Sequence, residues 1–323
     1  MSSILVTGGA GFIGSHVTKK LLEQGHQVHI IDDFNPRYNP ALKEARLAHM
    51  FSDSPAQPIL SRVDIRDLTA LKPIFAAGKF DHVIHLAAWA SVLASMENPH
   101  IYSEVNVDGT VNILELSRQH NVKNLVFAST SSVYGGKKEM PLKESDSIIR
   151  PISPYAASKV SGEVMCAAWH AMYKLPITCL RFFTVYGPWG RPDMAMFQFT
   201  ESILKGEPIN MRGANTKRDF TYVDDIVDGI VKSMNQSAGF QTYNLGEQDA
   251  VPLPRMIKAL ETALNKSANI IEVPLPAGEA TETMADISAA KTELGYEPKT
   301  SIEAGAKLFA DWYLNWYKPN FHA

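Results

Sequence analysis

The sequence is poor in cysteine. Among 323 residues only Cys166 and Cys179 are cysteines, and their spacing matches no metal-ligand pattern. That excludes a disulfide framework and a cysteine-built metal centre. It fits a reducing compartment, so a cytoplasmic protein without a bound metal is expected. Charge of one sign is scarce too. Lys and Arg number 31 against 34 Asp and Glu, a formal net charge of −3. Such a chain has no basic field for nucleic acid or an anionic membrane, so an anionic small molecule needs a local cationic pocket. No apolar run reaches the roughly 18 residues of a membrane span. The opening "MSSILVTGG" shows neither a basic leader nor a cleavage signal. Repeats, low-complexity tracts and linkers are missing as well.

What is present is strand–helix alternation. Hydrophobic residues at 45% and charged residues at 20% suit a globular chain of about two domains' length. Ile4–Thr7 is a short apolar run ended by glycine, as in a buried parallel strand. Ser15–Gln24 then places Val17, Leu21 and Leu22 on one side of a helix, and Gly25 stops it. Gln27–Asp32 reads as a second strand. Val83–Leu86, Leu125–Ser129 and Ile177–Phe182 are further strand candidates, separated by helical patterns over Thr69–Ala77, Ile101–His120 and Tyr155–Tyr173. The rhythm predicts an α/β fold: a Rossmann doubly wound parallel sheet over residues 1–181. After Arg181 prolines become frequent and segments short, which predicts a smaller mixed C-terminal lobe over 182–323. Thr242–Glu247 is a candidate strand returning to the main sheet.

"TGGAGFIGSH" lies between the first strand and the first helix and spaces Gly8, Gly11 and Gly14 three apart. The first glycine permits the tight turn, the second lets backbone approach a pyrophosphate, and the third lets helix and strand pack closely. The helix N-terminus, with Phe12 and Ile13, then faces the phosphates. Asp32 ends the second strand. A carboxylate there accepts from a free ribose 2′-hydroxyl and repels a 2′-phosphate, which favours NAD over NADP. Asp33 is the alternative partner, and Arg37 keeps NADP open. Asp64, beside Ile65, is placed to take the adenine amino group or to be a surface acid. Leu86, Ala87 and Ala88 sit at a strand end, where small residues let a cofactor lie close.

Tyr155 and Lys159 are spaced i, i+4 and share one helix face. A phenol with a reference pKa near 10 is a poor base at neutral pH. A nearby ammonium and a cationic nicotinamide would favour its phenolate. Upstream lies the hydroxyl-rich "ASTSSVYGG" at the end of a predicted strand.

In this order the motifs resemble the extended short-chain dehydrogenase/reductase family of nucleotide-sugar epimerases and dehydratases. The resemblance spans nearly the whole chain and includes "TGGAGFIG", "HLAA", "NVDGTVNILE", "STSSVYG", "YAASK", "RFFTVYGP", "RDFTYVDDIVDG" and "LGYEP". It implies that Tyr155 is the base, Lys159 its activator and nicotinamide-ribose ligand, and Thr130 a hydrogen-bond partner of the sugar 4-oxygen. It implies that Arg218 meets the nucleotide diphosphate, that Asn106 shapes the sugar pocket, and that the protein is a homodimer with bound NAD. Family dehydratases carry Asp-Glu after the catalytic threonine. Here Ser131 and Ser132 stand there, and neutral hydroxyls are poorly suited to that acid–base work. Epimerisation at C4 remains. "RFFTVYGPWGRPDM" is similar to the UDP-glucuronate 4-epimerases, which implies that Arg191, Thr184, Ser131 and Ser132 hold a sugar carboxylate. A structural or diphosphate-binding Arg191 is the alternative. Two stretches depart from that pattern: "ASVLAS", where Leu93 and Ala94 replace Arg and Tyr, and "AGEATETMAD". They keep open a neutral UDP-sugar 4-epimerase and a UDP-glucuronate decarboxylase.

Overall fold

Alternate residues of the first strand face opposite ways, and the fold is built on both faces. Ile4 and Val6 belong to one hydrophobic cluster and Leu5 to another. The computed structural model describes residues 1–213, 215–236 and 239–321. Its strands are β1 (Ser3–Thr7), β2 (Gln27–Asp32), β3 (Ile59–Arg62), β4 (His82–His85), β5 (Asn124–Thr130), β6 (Ile177–Phe182), β7 (Thr184–Tyr186), β8 (Pro208–Arg212), β9 (Lys217–Tyr222), β10 (Phe240–Leu245), β11 (Ala250–Pro252) and β12 (Asn269–Val273). Its main helices are α1 (Phe12–Glu23), α2 (Pro40–Phe51), α3 (Leu68–Gly78), α4 (Val92–Glu97), α5 (Pro99–Ser103), α6 (Gly109–Gln119), α7 (Pro154–Tyr173), α8 (Ala195–Lys205), α9 (Val223–Met234), α10 (Leu253–Leu264) and α11 (Ile302–Trp312).

The main sheet has seven strands in the order β10-β6-β5-β4-β1-β2-β3. All its pairings are parallel. The strand order reverses beside β1, so a crevice opens where β1 and β4 end, the usual ligand position in such sheets. Helix α1 buries Val17, Leu21 and Leu22 on the Ile4 face. Helices α3, α6 and α7 cover the other face with Leu71, Ile113, Leu114 and Cys166. The expected doubly wound sheet is therefore present.

Three details differ from the sequence reading. Helix α2 and strand β3 were not assigned there. The helical pattern over 101–120 is broken by a π-turn at Glu104–Asp108, between α5 and α6. The return strand is β10, starting at Phe240 and pairing with β6 from Phe240↔Ile177 to Leu245↔Phe182. Past β6 the chain builds two small sheets, β11-β9-β7 and β12-β8. Among the described residues no helix is long and apolar enough to cross a membrane, and no His, Cys, Asp and Glu group is arranged to hold a metal ion.

Candidate active site

The glycine loop is tight enough that side chains would fill it. Gly8 has φ +70°, and a Cβ there would come 2.8 Å from the Ala87 nitrogen. A Cβ on Gly11 would lie 2.9 Å from the Gly8 carbonyl, and one on Gly14 would collide with the same oxygen. The end of β4 is fixed to this loop. Thr7 Oγ1 lies 2.7 Å from His85 Nδ1 and accepts from the Ala87 N–H at 3.1 Å. Burial drives the His85 pKa down to about 3, so the ring is neutral.

A cavity of about 340 Å³ opens over this loop. Gly8, Gly11, Phe12, Ile13 and Gly14 line its floor, and Asp32, Asp64, Ile65, Leu86, Ala87 and Ala88 line its sides. Asp32 is 4% exposed. Its carboxylate accepts from the Ala10 and Phe34 N–H groups at 3.2 and 2.9 Å and from Lys43 Nζ at 2.9 Å. Asp64 is forked onto Arg66, at 3.1 and 3.0 Å from Nε and 2.6 Å from Nη2. Partial burial opposes its charge, but these contacts outweigh burial and lower its pKa. Arg37 lines the cavity yet is engaged elsewhere, by Asp193 at 3.2 Å and by the Trp89 ring at 5.7 Å. Glycines that admit only backbone and a buried acid at the end of β2 suit an NAD-type dinucleotide.

Thr130, Tyr155 and Lys159, the expected reacting groups, line the same cavity. Ser153 caps α7 by accepting from the Ala156 N–H at 3.2 Å, and Pro154 opens the first turn. That cap sets Tyr155 in the first turn and Lys159 one turn on. A Cβ on Gly162 would lie 2.5 Å from the Phe127 ring, so α7 lies close on β5. Lys159 Nζ donates to the Ala128 carbonyl at 2.8 Å. Burial lowers its pKa to about 8, with Cys166 and Glu163 opposing. The sequence reading had Lys159 bringing Tyr155 toward its phenolate. Burial raises the Tyr155 pKa, and the groups pulling it down are the Thr130 hydroxyl and the Arg191 charge. Tyr155 rests as a phenol.

A second cavity, of about 650 Å³, adjoins the first. Ser131, Ser132, Thr184 and Met194 line both. Arg191 lines the first cavity, and Arg218 the second. Arg191 spends Nε and Nη2 on Asp193, at 2.9 and 2.8 Å, and Nη2 also donates to the Ala90 carbonyl at 2.7 Å. Among the described residues its Nη1 has no hydrogen-bond partner. Burial works against this charge, but Asp193 outweighs it and holds the pKa above its ordinary value. Arg218 faces Glu279 at 3.5 Å, and burial pulls its pKa down.

Asn106 lines neither cavity. It is 1% exposed, and its amide is consumed internally. It bonds the Trp89 backbone N–H and carbonyl at 2.8 and 2.9 Å and Ser158 Oγ at 2.9 Å. The π-turn turns it inward. It acts on the pocket by clamping the loop after β4 to α7. The sequence reading missed Lys43, Asp193 and Glu279. Lys43 and Glu279 are ordinary charged residues locally, marked only by partners elsewhere in the chain, and Asp193 joins its neighbour Arg191 to the distant Arg37.

The comparisons with known proteins agree with this geometry. The sequence model of the NAD dependent epimerase/dehydratase family matches residues 4–246. UDP-glucuronate 4-epimerase 1 of Arabidopsis thaliana is 42% identical over 341 residues, covering 99% of this chain and 79% of the relative. The crystal structure of UDP-glucuronic acid 4-epimerase from Bacillus cereus, in complex with UDP-glucuronic acid and NAD, superposes with a TM-score of 0.89 at 35% identity, covering 97% of this chain and 99% of that one. The Thermotoga maritima UDP-glucose 4-epimerase with UDP-glucose gives a TM-score of 0.88 at 32% identity, covering 97% and 98%.

Proposed function

The chain belongs to the NAD dependent epimerase/dehydratase family and is an NAD-dependent nucleotide-sugar epimerase; from that premise we propose that it interconverts UDP-glucuronate and UDP-galacturonate. One observation carries the choice of sugar. The seam between the two cavities is lined by three neutral hydroxyls, on Ser131, Ser132 and Thr184, with Arg191 beside them. Such a seam holds a carboxylate by charge-assisted bonds, worth roughly 1.5–3 kcal/mol each, and the shared residues include no acid for dehydration.

The division of labour follows from position. Gly8, Gly11, Gly14 and Asp32 hold the dinucleotide, and Arg218 meets the diphosphate of the sugar nucleotide. NAD held there would supply the acceptor for the hydride of the sugar C4 and the donor that returns it. Tyr155, as the phenolate favoured by the Lys159 and nicotinamide charges, takes the proton of the 4-hydroxyl and gives it back as the phenol, with Thr130 bonded to the sugar 4-oxygen. Lys159 orients the nicotinamide ribose and adds positive charge. Between the two transfers the 4-keto sugar turns over. Oxidation at C4 creates a β-keto acid, which is prone to lose CO₂. Donors that keep the negative charge on the carboxylate slow that loss. The protein acts as a cytoplasmic homodimer in this reading. The outer face of α7 supports it by leaving Val164 and Met172 more than half exposed, at 58% and 57%.

A neutral UDP-sugar is the second reading. Leu93 lines the second cavity at a position where the resemblance implies arginine, and Asp193 already consumes part of Arg191. Incubation with UDP-glucuronate, followed through the anomeric protons by NMR, separates the cases. UDP-galacturonate is the expected product. A pentose product means decarboxylation. Turnover of UDP-glucose alone means a neutral-sugar epimerase.

A further inference from the structure

Arg46 is a fully buried cation whose contacts among the described residues include no carboxylate. It lies on α2 and is 0% exposed. Its Nη1 donates to the Ala10 carbonyl at 2.6 Å, inside the glycine loop, and lies 3.3 Å from the Tyr38 hydroxyl. Its Nη2 donates to the Trp189 carbonyl at 2.7 Å. Its Nε is buried with no partner. Every oxygen it touches is neutral, whereas a guanidinium taken out of water normally needs an anion.

The two carbonyls belong to the two loops that matter most. Ala10 sits between Gly8 and Gly11, where a dinucleotide's diphosphate binds. Its N–H donates to Asp32 at 3.2 Å while its carbonyl accepts from Arg46. Trp189 stands two residues before Arg191. Its φ is +64°, a conformation that a side-chain-bearing residue keeps only when its surroundings hold it. The Trp189 ring is caged by Trp316, Trp312 and His49, with centroids 4.0, 5.4 and 5.3 Å away. The Arg46 fork fixes its backbone.

We propose that Arg46 is a positioning residue that couples the cofactor loop to the substrate loop. The dinucleotide's diphosphate supplies the counter-charge that Arg46 lacks. The fork converts a settled glycine loop into a settled Trp189, and hence into an Arg191 aimed at the sugar carboxylate. Cofactor loading thereby prepares the sugar site. The part concerning the carboxylate rests on the proposed function; the part concerning the dinucleotide does not.

The test compares Arg46→Met and Arg46→Lys with wild type. NAD affinity is measured by titration after stripping, and KM and kcat with UDP-glucuronate are measured at saturating NAD. Arg46→Met should bind NAD about tenfold more weakly and raise KM about tenfold with kcat nearly unchanged, a coupling in the range typical of linked sites. Arg46→Lys keeps the charge and guards against a folding failure. It should recover NAD affinity but leave KM raised, because one ammonium does not reproduce the fork. Wild-type NAD affinity in Arg46→Met overturns the proposal. So does a lower melting temperature with NAD affinity and KM intact below it. A wild type inert toward UDP-glucuronate removes the carboxylate reading, and the NAD titration still decides the role of Arg46.

Discussion

Glu163, on the helix that carries Tyr155 and Lys159, forms a two-point ion pair with Arg181. Arg181 Nε and Nη2 donate to the two Glu163 oxygens at 3.0 and 2.8 Å, and both side chains are nearly inaccessible, at 5% and 6% exposure. Ser129, next to Thr130, donates to the same carboxylate at 2.5 Å. Arg181 also donates to the Tyr134 hydroxyl at 3.0 Å. The pair ties α7, one turn past Lys159, to β6 and to the tip of β5. Removing one partner strands a buried charge. Arg181→Met should therefore cost about 3–5 kcal/mol in urea unfolding, and adding Glu163→Gln should return much of it. Additive losses in the double variant would refute the pairing as the cause.

In the proposed reaction Tyr155→Phe deletes the hydroxyl that exchanges the sugar proton and leaves the glycine loop untouched. Turnover should fall by about 10³-fold, within the range for a lost general base, while NAD stays bound. Burial raises the Tyr155 pKa, so the phenolate fraction grows with pH. The wild-type rate should climb into the alkaline range. Retained turnover in the phenylalanine variant would remove Tyr155 from its role.

Arg191→Ala removes the cation at the seam. Turnover of UDP-glucuronate should drop roughly 10- to 100-fold more than any turnover of UDP-glucose, the equivalent of a charge-assisted bond. CO₂ release per turnover should rise, read as pentose product by NMR. Equal losses on the two sugars would make Arg191 structural.

Lys159 is costly to the fold. Its pKa falls from 10.5 to about 8 on burial. A depressed pKa means that folding resists the charged form. The penalty is complete below about pH 8 and fades as pH rises to 10.5, so this group makes stability rise with pH across that window. Its size is on the order of 3 kcal/mol. Lys159→Met should abolish turnover yet raise the melting temperature of the NAD-free protein at pH 7, and should flatten the stability rise above pH 8.

His85 works in the acid range. Its pKa drops from 6.5 to about 3, first through burial and then through the Lys159 charge. The stability it contributes is present above 6.5 and is lost as pH falls toward 3. His85→Gln should shift the acid-unfolding midpoint, followed by far-ultraviolet circular dichroism, to lower pH.

Strands β1, β2 and β6 are legible in the sequence because continuous apolar runs ended by turn residues have few other uses. The glycine loop and the Tyr155–Lys159 pair are legible because their chemistry fixes their spacing. Helix α2 is not. Lys43 and Arg46 lie on its buried side, at 5% and 0% exposure, and spoil the amphipathic pattern. Their burial makes sense only once Asp32 and the carbonyls of Ala10 and Trp189 surround them. Spacing along a helix likewise gives the face that Tyr155 and Lys159 share, but not that the Lys159 ammonium turns to the Ala128 carbonyl. Nor does the local sequence reveal that Asp193 holds both Arg37 and Arg191.

The pairing of β10 with β6 bears on how the chain is made. When residue 182 leaves the ribosome, β6 has β5 on one side and nothing on the other. Its remaining neighbour comes only after β7, α8, β8, β9 and α9 have been synthesised. Until residue 245 emerges, the nascent sheet carries an open, apolar edge that invites wrong pairing. The interval between those two residues is the window in which a chaperone has most to protect.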